Sequence, residues 1–319
     1  MRKIYFIFFS LSVSCYTRAQ PIGRHSTMDS SVIQPILKNN YPARVGWITA
    51  ANIAAYGGTM VALYDTWYKN YPQSRFHFFN DNKEWLQVDK AGHTWSSYSE
   101  GRASIAMWKW AGLPARKALW VGGLSGLAYQ SIIEVLDGFS AEWGFSWGDY
   151  VGNVAGTALL IGQELGWKEQ RISLKFSFHR NTYNDAELSQ RADAIYGRSL
   201  AERTLKDYNA QTYWLSVNLQ SIVKGKILPP WLNLAVGYGA DGMFGANNNK
   251  WSDKLGIMHD RSDIQRYRRW WLAPDIDFTR IHTNSKVLKS TFFILNSFKF
   301  PTPALLFSNN KFRWRWLQF

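Results

Sequence analysis

The chain has 319 residues, a formal net charge of +14, and 16% aromatic against 19% charged residues, with 17 Trp, 16 Tyr and 19 Phe. That length supports one large domain or two modest ones, and the aromatic excess suits a membrane interface. The charge is lopsided, 14 basic against 11 acidic residues up to position 165 and 23 against 12 beyond it. No RNP, zinc-finger or helix-turn-helix signature accompanies it, so no nucleic acid is expected as a partner. Membrane lipid or lipopolysaccharide is expected instead.

Arg2 and Lys3, the apolar run Ile4 to Val13, and Arg18-Ala19-Gln20 outline a signal peptide over residues 1–20. Ser12-Val13-Ser14-Cys15 is a poor lipobox, because no bulky aliphatic stands three residues before the cysteine. Cleavage after Gln20 leaves a mature chain without thiols. The chain is therefore expected to be exported, to the outer membrane or a periplasm-facing membrane surface. Residues 21–43, with Pro21, Pro35 and Pro42, read as an irregular lead-in. Val45 to Leu63 is uncharged for 19 residues. It is long enough to cross a bilayer, but Asn52, Gly57 and Gly58 dilute it, so a span and a buried or interfacial helix both remain open.

A helical domain is expected over 44–168, and its three later helices carry the chemistry. In the first, Asp89, His93, Ser97 and Glu100 fall at steps of four, four and three, on one helical face. The second runs from Ala118 to Asp137 and brings in Glu134 and Asp137, three residues apart. The third opens at Ser146, a plausible N-cap with Asp149 three residues on, and aligns Asp149, Gly152, Asn153 and Gly156. Gly122-x-x-x-Gly126 and Gly152-x-x-x-Gly156 permit close helix contact. Polar groups aimed from apolar helices predict one shared buried site, since unpaired buried polar groups are costly.

Beyond Trp167 the period falls from 3.6 to 2. Ile172–Phe178, Tyr213–Leu219, Leu232–Tyr238, Trp270–Phe278 and the final FRWRWLQF alternate apolar with polar residues. Pro274 is expected to bend its strand or mark an edge. One greasy face per strand, with aromatic Phe319 last, is the pattern of outer-membrane strands, though a soluble antiparallel sheet alternates in the same way. Helices are expected over Ala186–Asp207 and Ser285–Ser297. The fold class is thus α+β: an N-terminal bundle of apolar helices, then a β-rich half over 169–319 with one or two helices.

Asp89-Lys90-x-x-His93, Glu134-x-x-Asp137 and Gly144-x-Ser146-Trp147-x-Asp149 with Asn153 and Gly156 resemble the YfiM-like family of predicted periplasmic lipoproteins. Their order is also similar to a wider VanZ-like pattern. The likeness covers roughly 85–165, and the longer chain looks like a Bacteroidetes-type form with a β-rich C-terminal half. The family has no established activity, so the resemblance implies a domain and a site without a reaction.

Three readings follow. A binding or structural role has the polar cluster locking the helices in register, with Lys90 or Arg102 paired to Glu134 or Asp137. Asp89, Lys90, Arg102 and Asn153 are then the binding residues, and other envelope proteins are possible partners. A hydrolase or transferase acting on a lipid head group uses His93 as general acid/base, oriented by Glu134, Asp137 or Asp149. His93 with these carboxylates also suits a divalent metal, Mg²⁺, Mn²⁺ or Ca²⁺ better than Zn²⁺, although the sequence names no cofactor. A pore lined by the Arg-bearing strands is the third reading, with too few strands in view to favour it.

Overall fold

The computed structural model describes residues 41–318 except 65–67, 70–71, 224–226 and 254. The expected signal peptide, Cys15, most of the lead-in and Phe319 lie outside the described residues. The last lead-in residues, 41–43, are already helical. The architecture is α+β. Four helices come first: α1 (Tyr41–Leu63), α2 (Val88–Ala111), α3 (Ala115–Gly138) and α4 (Trp147–Gly166). Gly112, at φ 98°, ends α2 in the left-handed conformation that spares glycine a steric penalty, and Pro114 stands at the N-cap of α3.

The strands are β1 (Ile172–Phe178), β2 (Gln211–Asn218), β3 (Leu232–Asp241), β4 (Lys250–Ser252), β5 (Met258–Asp260), β6 (Tyr267–Ile276), β7 (Thr302–Ser308) and β8 (Lys311–Gln318). Six form one antiparallel sheet in the order β1-β2-β3-β6-β7-β8, and β4-β5 is a separate hairpin. The expected helix over Ala186–Asp207 is two, α5 (Ala186–Tyr196) and α6 (Leu200–Lys206). Gly197 breaks it at φ 84°, and Ser199 with Glu202 starts α6 with a reciprocal capping box. Ser285 caps α7 (Lys286–Leu295). Strand β7 escaped the alternation rule because Leu305-Leu306-Phe307 is continuously apolar. Pro274 lies in β6 beyond Leu272, where the ladder to β7 ends, so its missing N–H meets no partner strand.

The sheet is inside-out. Its inner face buries Lys175, Ser216, Asn233 and Asp275 among Trp214, Ala235, Trp271 and Ala273. Lys175 Nζ lies 2.7 Å from Asp275 and donates to the Ile276 carbonyl at 2.6 Å. Ser216 donates to Asp275 at 2.6 Å and accepts from Asn233 at 2.9 Å. Contact between β1 and β6, which are not neighbours in the sheet, requires that the sheet be rolled. The return run before β7 completes the roll: Phe176 N–H donates to Ser297 O at 3.0 Å, and Lys299 N–H to Phe176 O at 2.8 Å.

The outer face is apolar from edge to edge. One row passes through Leu174, Leu215, Val236, Leu272, Leu305 and Trp314, each paired with the next. The adjacent row is wholly aromatic: Phe176, Tyr213, Tyr238, Trp270, Phe307 and Phe312. Helix α2 covers the β1–β2 end, where Trp95 packs on Phe176 and Tyr213 and Leu174 joins the bundle core. Leu215, Val236, Trp270, Leu272, Phe307 and Trp314 remain exposed.

The helices follow the same logic. The charge-bearing α2 is innermost, packed against α3 and α4 as well as β1–β3. Close approach requires glycine: a Cβ at Gly126 would strike the Ser97 carbonyl, and one at Gly156 the Thr94 carbonyl. Apolar side chains point away from the bundle instead, among them Trp47 of α1, 74% exposed, with Leu124 and Ile132 of α3 and Val151 of α4. Helix α3 alone among the described helices is long and apolar enough to cross a membrane. For α1, side-on packing to α3 through Tyr56–Tyr129 rings 4.9 Å apart is what the fold displays.

Candidate functional site

The cluster forms where the N-terminal ends of α2 and α4 meet the C-terminal end of α3. Three consecutive left-handed residues, Trp85, Leu86 and Gln87 at φ 46°, 51° and 64°, set the start of α2. Such a run is strained in non-glycine residues. It is held by Tyr238 donating to the Leu86 carbonyl, by Arg268 donating to Gln87 Oε1, and by Trp85 N–H donating to the Ala246 carbonyl. The sheet therefore fixes where Asp89, Lys90 and His93 point.

Lys90 Nζ sits among three carboxylates, 2.6 Å from Asp81, 3.0 Å from Asp89 and 2.9 Å from Asp149. Burial disfavours the ammonium, but Asp89, Asp149 and Asp81 outweigh it and raise its pKa. Burial pushes the Asp89 carboxyl up to about 6 against the pull of Lys90. Asp149 is raised by the same desolvation, opposed by His93 and Lys90. Asp81 is lowered: hydrogen bonds from its neighbours, Lys90 and Ser146 included, overcome its burial.

Ser146 links the parts. Its hydroxyl donates to Asp81 at 2.5 Å and accepts the Asp149 N–H at 3.1 Å, as an N-cap should. The reciprocal half of a capping box is different here, because the Ser146 N–H donates to Glu134 Oε2 at 3.2 Å. The Asp149 carboxylate is thereby left to Lys90. Glu134 is buried, and desolvation first, then Asp149 and Asp137, push its carboxyl up to about 9. Its Oε1 lies 3.6 Å from His93 Nδ1, while Asn153 Oδ1 is 3.3 Å from that nitrogen and Asp149 Oδ1 is 3.7 Å from Nε2. The His93 side chain, 23% exposed, is the most open member. Asp89 Oδ1 and Asn153 Nδ2 are buried without a hydrogen-bond partner.

A family model described as a predicted periplasmic lipoprotein matches residues 77–161. The match encloses every residue of this cluster and none of the sheet, and it fits a periplasm-facing envelope domain of unknown function. No curated protein and no solved structure matches the chain.

Asp89, Lys90, His93, Glu134, Asp149 and Asn153 come together; two other expected members stand apart. Arg102 donates to Ser297 Oγ at 3.3 Å and lies 4.0 Å over the Phe293 ring, on the sheet side of α2. Nine residues past His93 is about half a turn around the axis and ~14 Å along it, so pairing with Glu134 or Asp137 is out of reach. Lys90 likewise pairs with aspartates rather than with those two residues. Asp137 accepts from the Tyr68 hydroxyl at 2.6 Å, and burial raises its carboxyl to about 6 despite that bond. Glu100, expected on the site face, accepts from Gln130 at 2.8 Å farther down α2. Asp81 was missed. It sits in an irregular loop that runs beside 138–146 through Phe79–Phe145 and His77–Gly138 backbone bonds, and no periodicity announces it.

Proposed function

We propose that this is an envelope protein docked on the outer membrane through the apolar outer face of its sheet and the outward side chains of α1, α3 and α4. Its polar cluster opens at His93 as a binding site. The observation that carries the reading is the reversal of polarity: a buried Lys175–Asp275 pair inside the roll, and unbroken apolar and aromatic rows outside it. Water-soluble sheets bury their apolar face, whereas lipid-facing sheets show it, with an aromatic band beside it. Strands of 7 to 10 residues are at or below the ~9–11 of a crossing strand. The face is therefore read as resting in lipid without crossing it. Lys311, Arg313 and Arg315, exposed on the opposite face of edge strand β8 from Phe312 and Trp314, suit anionic head groups reached around the sheet edge, including those of lipopolysaccharide. The resemblance of the site helices to the YfiM-like and VanZ-like pattern supports an envelope role. Envelope fractionation with antibody detection tests it: the protein should travel with outer-membrane markers, and recovery with inner-membrane markers would refute it.

A second reading, a hydrolase or transferase on a lipid head group, rests on His93 being the open member, with Asp149 beside Nε2 to orient it. His93→Gln should then abolish head-group turnover at unchanged melting temperature. Turnover that survives the substitution removes this reading.

A further inference from the structure

Two sets of donors at the cluster have metal-like spacing: Asp81, Asp89 and Asp149, and His93, Glu134 and Asp149, each with ligand atoms within 4.8 Å of one another. The first set already holds a cation, because Lys90 Nζ is within 3.0 Å of all three carboxylates. The second set has no such partner of its own. We propose that His93, Glu134, Asp149 and Asn153 form a divalent-cation site of the Mn²⁺ class. This rests on the cluster being a binding site, and it is independent of lipid docking.

Three observations support it. First, His93 Nδ1 stands 3.6 Å from Glu134 Oε1, long for a hydrogen bond, and one ring nitrogen, Glu134 and Asp149 offer ligand atoms within 4.8 Å of one another. Oxygens and nitrogens sharing a metal at ~2.1 Å lie about 3.0–3.5 Å apart, close to this spacing. Second, Asn153 is fully buried, and only one end of its amide is engaged, the oxygen 3.3 Å from His93 Nδ1. The other end, Nδ2, has no partner. Oxygen and nitrogen of an amide are assigned from their neighbours. Asn153 Oδ1 can take an ion in that arrangement, and Asp149 Oδ1, buried and without a hydrogen bond beyond its ion pair with Lys90, offers it a second oxygen. Third, the ligands are braced from behind: Ser146 N–H holds Glu134 Oε2 and leaves Oε1 toward His93, and the Asn153 carbonyl accepts from Ser97 Oγ at 2.9 Å.

Donor chemistry selects the metal. One imidazole with two carboxylates and an amide oxygen is harder than the sulfur and multi-histidine sets that favour Zn²⁺, and softer than the all-oxygen sets of Ca²⁺. Lys90 shares Asp149 with the ion, and its charge keeps the site from binding as tightly as a dedicated metal cage. His93, with the most exposed side chain of the set, is the point of entry.

The test uses the full-length purified protein, stripped with chelator and titrated with Mn²⁺ by calorimetry and by electron paramagnetic resonance. One saturable Mn²⁺ per chain is expected, with a nitrogen coupling in the pulsed spectrum from the imidazole. Glu134→Gln and Asp149→Asn should each weaken binding at least tenfold, and His93→Gln should remove the nitrogen coupling. Asp263→Asn, on an exposed carboxylate elsewhere, should change nothing. Circular dichroism establishes that each variant is folded. If Glu134→Gln does not fold, the nitrogen coupling of the unaltered protein still decides. Absence of saturable binding, a spectrum without nitrogen coupling, or binding indifferent to Glu134 and Asp149 each overturns the proposal. Membrane fractionation is run with chelator present, so failure here leaves the lipid-docking reading standing.

Discussion

Leu272→Arg separates a lipid-facing sheet from a water-facing one. Leu272 lies in the middle of β6, paired with Val236 on one side and Leu305 on the other, and is 43% exposed. In water, a half-exposed leucine changed to arginine alters stability by only about ±0.5 kcal/mol. Against lipid, the same change costs ~2–4 kcal/mol at the bilayer midplane and ~0–1 at the interfaces, so a face seated in one leaflet loses up to about 2 kcal/mol. That is a loss of up to roughly 30-fold in partitioning, at 1.4 kcal/mol per tenfold. The assay is flotation of purified protein with phosphatidylethanolamine–phosphatidylglycerol vesicles, beside melting temperatures measured without vesicles. Leu255→Arg is the control: it is 84% exposed, in the β4–β5 hairpin away from the apolar rows. The expected result is that Leu272→Arg stays at the bottom of the gradient with its melting temperature nearly unchanged, while Leu255→Arg floats. Two results would refute the reasoning: both variants floating alike, or Leu272→Arg melting several degrees lower in solution, which would place Leu272 in a protein contact.

Glu100, partly buried on α2 with its Oε2 out of reach of water, has its carboxyl pushed up to about 8 by desolvation, slightly relieved by Gln130. A raised folded pKa means that its contribution is full below the unfolded value of ~4.3 and is lost as pH rises through 8. Glu100→Gln should therefore gain stability relative to the parent between pH 5 and 8 in urea melts; parallel curves would contradict the assignment. Lys175→Met leaves Asp275 in the roll with only the longer Lys299 pair at 3.9 Å and should cost up to ~3–5 kcal/mol, much of it regained in the double variant with Asp275→Asn. Additive losses would mean that the pair is not coupled. Intact-mass measurement of the exported protein should give a chain beginning at Pro21, and a lipid-modified Cys15 would overturn the expected cleavage.

The strands with strict alternation, β1 to β3, were legible because each has one polar and one apolar face. Alternation does not say which face is buried, however. Here the polar side of Ser216 and Asn218 is inside, a choice settled by how the sheet rolls. Strand β7 was invisible because Leu305 faces out while Leu306 packs inside the roll, and apolar residues on both faces erase the signal. The helical site was legible through spacing within each helix. Lys90 was assigned the wrong partners because its true ones include Asp81, from a loop whose path depends on the α3–α4 turn. Arg102 illustrates the opposite limit: helical phase alone, counted from His93, places it on the far side.

The single bridge between Phe176 and the 297–299 run has a consequence for how the chain is made. Strand β1 leaves the export channel more than a hundred residues before the segment that covers its outer edge. Helices α2 to α4 pack through contacts close in sequence and can assemble early, whereas the roll waits on a contact between residues 176 and 298. Throughout that interval β1 presents an unpaired edge, the usual starting point for wrong pairing between chains. A chain cut short anywhere before residue 297 would lose more than its last strands, because β1 would be left open for good.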